Sequence, residues 1–129
     1  MIISDKRNAI KIVSKSVGQT KKTAGILAKE ILAVKRNSAV IIALEGNLGA
    51  GKTTFVQGFA EALGIKEKVL SPTFVLLKIY KTQNPKRAHL AHIDCYRIDD
   101  YKKIENLGFK KLLKDRTSVI VIEWADRIR

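Results

Sequence analysis

Apolar residues in this chain fall into short clusters whose spacing changes along its length. Residues 1–9 read as a polar, loosely held lead-in. Ile10-Lys11-Ile12-Val13-Ser14 alternates in part, as a half-buried strand does. From Thr20 to Lys35, Ala24, Leu27, Ala28, Ile31 and Leu32 recur on one face, which predicts an amphipathic helix. Arg36-Asn37-Ser38 is a turn. Ala39-Val40-Ile41-Ile42-Ala43-Leu44 is continuously apolar and rich in β-branched side chains, the pattern of a strand buried on both faces. Helical spacing returns with Phe55, Val56, Phe59, Ala60 and Leu63, and Gly64 stands where a helix end favours glycine.

The second half is richer in strands. Pro72 restrains the backbone before Phe74-Val75-Leu76-Leu77-Lys78-Ile79-Tyr80, a predicted strand. Gln83-Asn84-Pro85-Lys86 is a turn, and Ala88 to Cys95 returns as the second arm of a hairpin. Asp99 can cap a short helix over Asp100–Asn106, Leu107-Gly108 breaks it, and Phe109–Lys114 forms another turn of helix. Ser118-Val119-Ile120-Val121-Ile122 is the last clear strand and ends at Glu123-Trp124. No repeat, low-complexity linker or boundary divides the 129 residues, so residues 1–129 read as one domain.

Composition narrows the class. Hydrophobic content of 46% is enough for a core, and no apolar run approaches the roughly twenty residues that span a bilayer. The N-terminus lacks a secretory apolar stretch, and the single Cys95 allows no internal disulfide. Both fit a soluble cytoplasmic protein. The net charge of +13 favours polyanionic partners such as nucleic acid, nucleotides or an acidic protein face. The lysines are scattered, however, and no aromatic residues interleave them, so a lysine-rich proteome explains the charge equally well.

The sharpest chemical signal lies between the first long strand and the helix after it. Gly46-Asn47-Leu48-Gly49-Ala50-Gly51-Lys52-Thr53 fits G-x-x-x-x-G-K-[ST], the phosphate-binding P-loop, and Thr54 follows it. Glycines let the main chain wrap a phosphate with its N–H groups turned inward. The Lys52 ammonium would neutralise phosphate charge, and the Thr53 hydroxyl would hold Mg²⁺. Strand, glycine loop and helix is the context this motif requires, and the helix N-terminus adds partial positive charge. The expected fold is therefore α/β: a three-layer P-loop NTPase-like domain with a mixed, partly antiparallel central sheet.

A nucleotide hydrolase also needs acids near its metal, supplied from strand ends beside the loop. Glu123 follows a β-branched run to a carboxyl edge, where a Walker-B acid belongs. Asp94 closes the Ala88–Cys95 strand and is placed to face the same site. Either acid could instead be a solvated strand end. Thr73, in a proline-fixed loop, is positioned to sense a γ-phosphate or order a water, or is an ordinary turn hydroxyl. Trp124 either stacks near the nucleotide or fills core. His89 and His92 read as hydrogen-bonded strand residues rather than metal ligands, since no zinc spacing accompanies them.

Several motifs coincide in order: G-N-L-G-A-G-K-T-T at 46–54, S-P-T-F at 71–74, H-I-D-C-Y-R at 92–97, L-G-F at 107–109 and I-E-W at 122–124. In this order they resemble the TsaE (YjeE) family of bacterial P-loop ATPases, from about Lys15 to Trp124. The resemblance implies an ATP-binding and hydrolysing accessory protein needed for N6-threonylcarbamoyladenosine at position 37 of ANN-decoding tRNAs. Such proteins act while docked on the TsaD–TsaB pair, and TsaD performs the carbamoyl transfer. Carried over by position, Lys52 would bind phosphates, Thr53 and Glu123 would serve Mg²⁺, and Asp94 would be a further acid. Thr73 would be the switch-like threonine, and Trp124 would lie near the nucleotide. Two departures stand out: Asn47 replaces a common acid, and the chain stops soon after Trp124, where the family usually continues into more strand.

Two other readings stay open. A small P-loop nucleotide or metabolite kinase would need an acceptor pocket and an arginine-bearing lid, and Arg87, Arg97 and Arg116 are widely dispersed. A nucleotide-gated module that binds tRNA or protein without turnover would bind ATP yet not hydrolyse it. On the ATPase reading, no arginine finger is evident in the chain, so solo turnover is expected to be weak and partner-dependent.

Overall fold

A computed structural model describes residues 2–4, 9–11, 16–33, 39–45, 51–69, 77–84, 87–94 and 108–123. Its elements, in chain order, are β1 (Ile2–Ser4), β2 (Ala9–Lys11), α1 (Val17–Ala33), β3 (Val40–Glu45), α2 (Lys52–Ala62), β4 (Leu77–Lys81), β5 (His89–Asp94), α3 (Phe109–Lys114) and β6 (Ser118–Glu123). The fold is α/β. Among the described residues the strands form one sheet in the order β2-β1-β3-β6-β5-β4. Its centre, β3-β6-β5, is parallel, with Leu44 opposite Glu123 and Asp94 opposite Glu123. Antiparallel pairs flank it: β4 with β5 as the expected hairpin, and β1 with both β3 and β2. The sheet is thus mixed, as anticipated.

Alternation along the central strands divides the core in two. Val40, Ile42, Leu44, Leu90, Val119 and Val121 pack on the side that carries α1 and α2. Ala91, Ile93, Ile120 and Ile122 pack with Phe109 of α3 on the other side. Because both faces are covered, the run Val119–Ile122 is apolar without interruption, and all of β6 is buried.

Contrary to the expected loose lead-in over residues 1–9, Ile2–Ser4 form a strand that pairs with β3 at Ala43, Leu44 and Glu45. The predicted strand at Ile10–Ser14 corresponds to β2, which begins one residue earlier, while residues 12–14 lie outside the described set. Helix α1 also begins earlier than Thr20. The Ser16 hydroxyl accepts a hydrogen bond from the Gln19 N–H at 3.1 Å, an N-cap that satisfies one of the helix's unpaired donors. Thr20, Ala24, Ala28 and Ile31 form its buried stripe.

Helix α2 packs tightly along α1. Its buried face holds Phe55 and Phe59, whose rings stack with centroids 6.1 Å apart. Gly58 makes the close approach possible: a Cβ there would lie 2.7 Å from Lys21 Cα. The helix ends where expected, with Leu63 as C-cap and Gly64 at φ +79. The helix predicted over residues 100–106 lies outside the described residues, as do Cys95 and Arg97.

Candidate nucleotide site

Three parallel strands give the sheet a carboxyl edge and an amino edge, and their polar groups behave differently. At the carboxyl edge β3 leads toward α2, and Gly51 takes a left-handed backbone (φ 87) as the N-cap of that helix. Left-handed φ suits glycine, so Gly51 turns the chain into α2 without Cβ strain. As a glycine, Gly51 has no side chain with which to cap the helix start. Lys52 and Thr53 therefore open α2 beside the ends of β5 and β6.

Residues 90, 92 and 94 of β5, and 119, 121 and 123 of β6, share the α2 face by alternation. Glu123 and Asp94 thus emerge side by side beneath the helix start. Glu123 is 3% exposed, Lys52 5% and Asp94 8%, so three ionisable groups are buried at one edge. Buried charge is costly unless neighbours compensate it, and such clusters collect at functional sites. The Thr53 hydroxyl donates to Glu123 Oε1 at 3.1 Å. His92 Nε2 lies 2.6 Å from Glu123 Oε2. An ionised carboxylate only accepts hydrogen bonds, so Nε2 is the donor in that state. Each oxygen of Glu123 thus has its own side-chain partner.

The donor set fits Mg²⁺ and a triphosphate. A hydroxyl and a carboxylate are hard oxygen ligands, and Mg²⁺ takes one or two protein groups, with phosphates and waters completing its shell. Among the described residues no group of three or more His, Cys, Asp or Glu is placed to hold a metal ion. His92 is hydrogen-bonded, as expected of it, but its partner was not foreseen from sequence. The H-x-D spacing at 92–94 places His92 and Asp94 on one face of β5, but the partner Glu123 comes from the neighbouring strand. Gly46, Asn47, Leu48, Gly49, Ala50, Thr73 and Trp124 lie outside the described residues, while Thr54 sits half-buried in the first turn of α2.

The amino edge is different in kind. Arg87 is 3% exposed and donates through Nη1 to the Arg116 carbonyl oxygen just before β6. Asp115 Oδ1 accepts from the Thr117 hydroxyl at 2.7 Å and the Thr117 N–H at 2.9 Å. Those bonds, the hydroxyl's foremost, hold the Asp115 carboxyl below its ordinary range. Arg87 and Arg116 therefore belong to a structural turn at the end of the sheet away from Lys52.

The sequence model for Threonylcarbamoyl adenosine biosynthesis protein TsaE matches residues 14–129. The chain belongs to the TsaE family. A tRNA threonylcarbamoyladenosine biosynthesis protein TsaE of Bacillus subtilis is 46% identical over 88 residues, covering 68% of this chain and 52% of that protein. The protein of the same name from Aquifex aeolicus is 42% identical over 103 residues, covering 78% and 68%. That of Rickettsia felis is 38% identical over 112 residues, covering 86% and 60%. This member of the family thus spans about half to two thirds of the length of these relatives. TsaE membership implies a P-loop NTPase-like fold, and the parallel β3-β6-β5 core with α2 after β3 agrees with it.

Proposed function

We propose that this chain binds ATP and Mg²⁺ at Gly46–Thr54, hydrolyses ATP slowly by itself, and serves tRNA threonylcarbamoyladenosine formation in the cytoplasm. The observation that carries this reading is the bond between Thr53 and Glu123. Those residues are the motif's metal-holding hydroxyl and the candidate Walker-B acid, 70 positions apart in sequence, and their side chains meet at 3.1 Å. The pathway comes from the relatives, which are named for that biosynthesis. On this reading the domain is a three-layer P-loop ATPase.

The chain's own groups would act by position and charge. Lys52 and the N-terminus of α2 would bind phosphate oxygens. Thr53 and Glu123 would hold Mg²⁺, whose charge would offset that of the phosphates. Asp94, beside Glu123, would orient the attacking water or a metal-bound one. Thr73 would sense the γ-phosphate, and Trp124 would lie near the nucleotide. A TsaD–TsaB pair is the proposed partner that completes the site, with tRNA contacted through that complex. No described helix is long and apolar enough to cross a membrane.

The kinase reading needs an arginine-bearing lid, and Arg87 is instead buried against the Arg116 carbonyl at the opposite edge. Reconstitution tests the proposal. TsaD and TsaB should form threonylcarbamoyladenosine on tRNA over repeated turnovers only when this chain and ATP are present. Full modification without this chain, or phosphate transfer from ATP to a small acceptor, would overturn it.

A further inference from the structure

His92 is the least exposed polar residue in this part of the molecule. Its ring is fully buried, Nε2 is 2.6 Å from Glu123 Oε2, and Nδ1 has no hydrogen-bond partner among the described residues. A buried imidazole with one bare nitrogen is an expensive way to fill a strand position if packing is all that is required. Neighbouring positions on the same face, Leu90 and Val121, are apolar. The register explains what the imidazole achieves. His92 sits opposite Val121, one step back along the face from the Asp94–Glu123 pair. From there it reaches Glu123 diagonally, from the sheet side, while Thr53 meets the same carboxylate from the helix side.

We propose that His92 is a positioning residue for Glu123: it holds Oε2 against the sheet, so that Oε1 alone is presented to Thr53 and the metal side. A carboxylate held at one oxygen loses rotational freedom about its last torsion. The other oxygen then has a defined direction before any ligand arrives. The bare Nδ1 sets the tautomer: with the proton on Nε2, the buried Nδ1 leaves no donor unpaired. His92 itself touches neither metal nor nucleotide; it acts through Glu123. This inference rests on the Mg-nucleotide reading of the site.

The test measures Mg²⁺ dependence of nucleotide affinity as well as turnover, using a fluorescent ATP analogue over a magnesium titration. In His92→Leu, the Mg²⁺ concentration for half-maximal effect should rise about 10–100-fold, the range seen when a ligand's supporting partner is lost. Affinity in EDTA should stay within about twofold, since the phosphate cradle is untouched. His92→Gln, which keeps an amide donor near the place of Nε2, should recover most of the loss. A purely structural role predicts reduced thermal stability with an unchanged magnesium midpoint, and that result overturns the proposal. Imidazole ¹⁵N shifts of the wild-type protein give a measurement that needs no variant. They should show the His92 proton on Nε2, and a proton on Nδ1 with a bare Nε2 would also overturn it. Should the wild-type chain bind no nucleotide at all, the Mg-nucleotide reading falls first. Normal wild-type binding with unaltered magnesium dependence in both variants removes the His92 role alone.

Discussion

Replacing Glu123 separates what the carboxylate does for the fold from what it does for a ligand. In Glu123→Ala, His92 loses its partner, and among the described residues neither nitrogen of a ring that is 0% exposed then has one. An orphaned buried donor costs about 1–3 kcal/mol. Loss of the packed side-chain stem adds about 0.8 kcal/mol per methylene. Thr53 adds little, because its hydroxyl is only partly buried and water can replace the acceptor. Relief from burying a charge offsets part of the total, leaving a net loss of about 2 kcal/mol.

Glu123→Gln behaves otherwise. The amide oxygen accepts from His92 Nε2, and the amide nitrogen faces Thr53, whose hydroxyl both donates and accepts. No buried group is orphaned, so stability should stay within about 1 kcal/mol of wild type. Mg²⁺-dependent hydrolysis should nevertheless fall about a hundred-fold or more in both variants, as when a preorganised charge contact is lost. Urea denaturation without nucleotide, followed by far-UV circular dichroism, gives the stability order, and phosphate release gives the activity. Equal destabilisation by Ala and Gln, or none by Ala, would show that the His92–Glu123 bond does not hold this edge together.

Lys52→Ala should weaken ATP binding by about a hundred-fold, as charge-assisted hydrogen bonds contribute about 1.5–3 kcal/mol each; unchanged affinity in isothermal titration would remove the phosphate role. Gly58→Ala gains about 1 kcal/mol of helix propensity but forces a Cβ to 2.7 Å from Lys21 Cα, where overpacking costs about 1–3 kcal/mol. A lowered melting temperature is therefore expected, and a raised one would mean that α1 and α2 separate freely. Asp115 should contribute to acid sensitivity. Its folded-state value is depressed, so its stabilisation is present above the ordinary 3.8 and is lost as pH falls through the folded value. In acid melts the advantage of wild type over Asp115→Ala should shrink below that pH, and a constant difference would exclude the linkage. If the +13 charge contacts tRNA directly, filter binding should weaken steeply with salt; a flat titration would leave contact to the partner proteins.

The sequence was most legible where periodicity and burial coincide. The apolar run at 39–44 reads as a buried strand and 118–122 as the last clear one, which puts Glu123 at a strand end. It was least legible where pairing depends on distant partners. Ile2–Ser4 is too short to show a period, and it is a strand only because β3 offers it an open edge. The start of α1 was written in Ser16-x-x-Gln19, but the exposed Val17 and Gly18 lie off the apolar stripe that marked the helix. The His92–Glu123 contact required the parallel register of β5 and β6, which no local pattern encodes.

The two edges of the parallel core divide labour through the kind of partner each polar group has. At the amino edge, Arg87 bonds a main-chain carbonyl, and Asp115 holds the main-chain N–H of Thr117 as well as its hydroxyl. Disturbing those groups disturbs the turn that starts β6. At the carboxyl edge, His92, Glu123 and Thr53 are joined side chain to side chain. On the proposed reading, a ligand would take the Thr53 hydroxyl and one Glu123 oxygen without breaking a ladder bond of the sheet. Side-chain rotation is fast and inexpensive compared with backbone rearrangement, so a nucleotide site built in this way would load and empty on a fixed scaffold. It follows that substitutions at Asp115 should change stability with little effect on ligand affinity, while Glu123→Gln should do the reverse. A pair of variants that failed to separate in that way would mean that the edges are coupled through the strands between them.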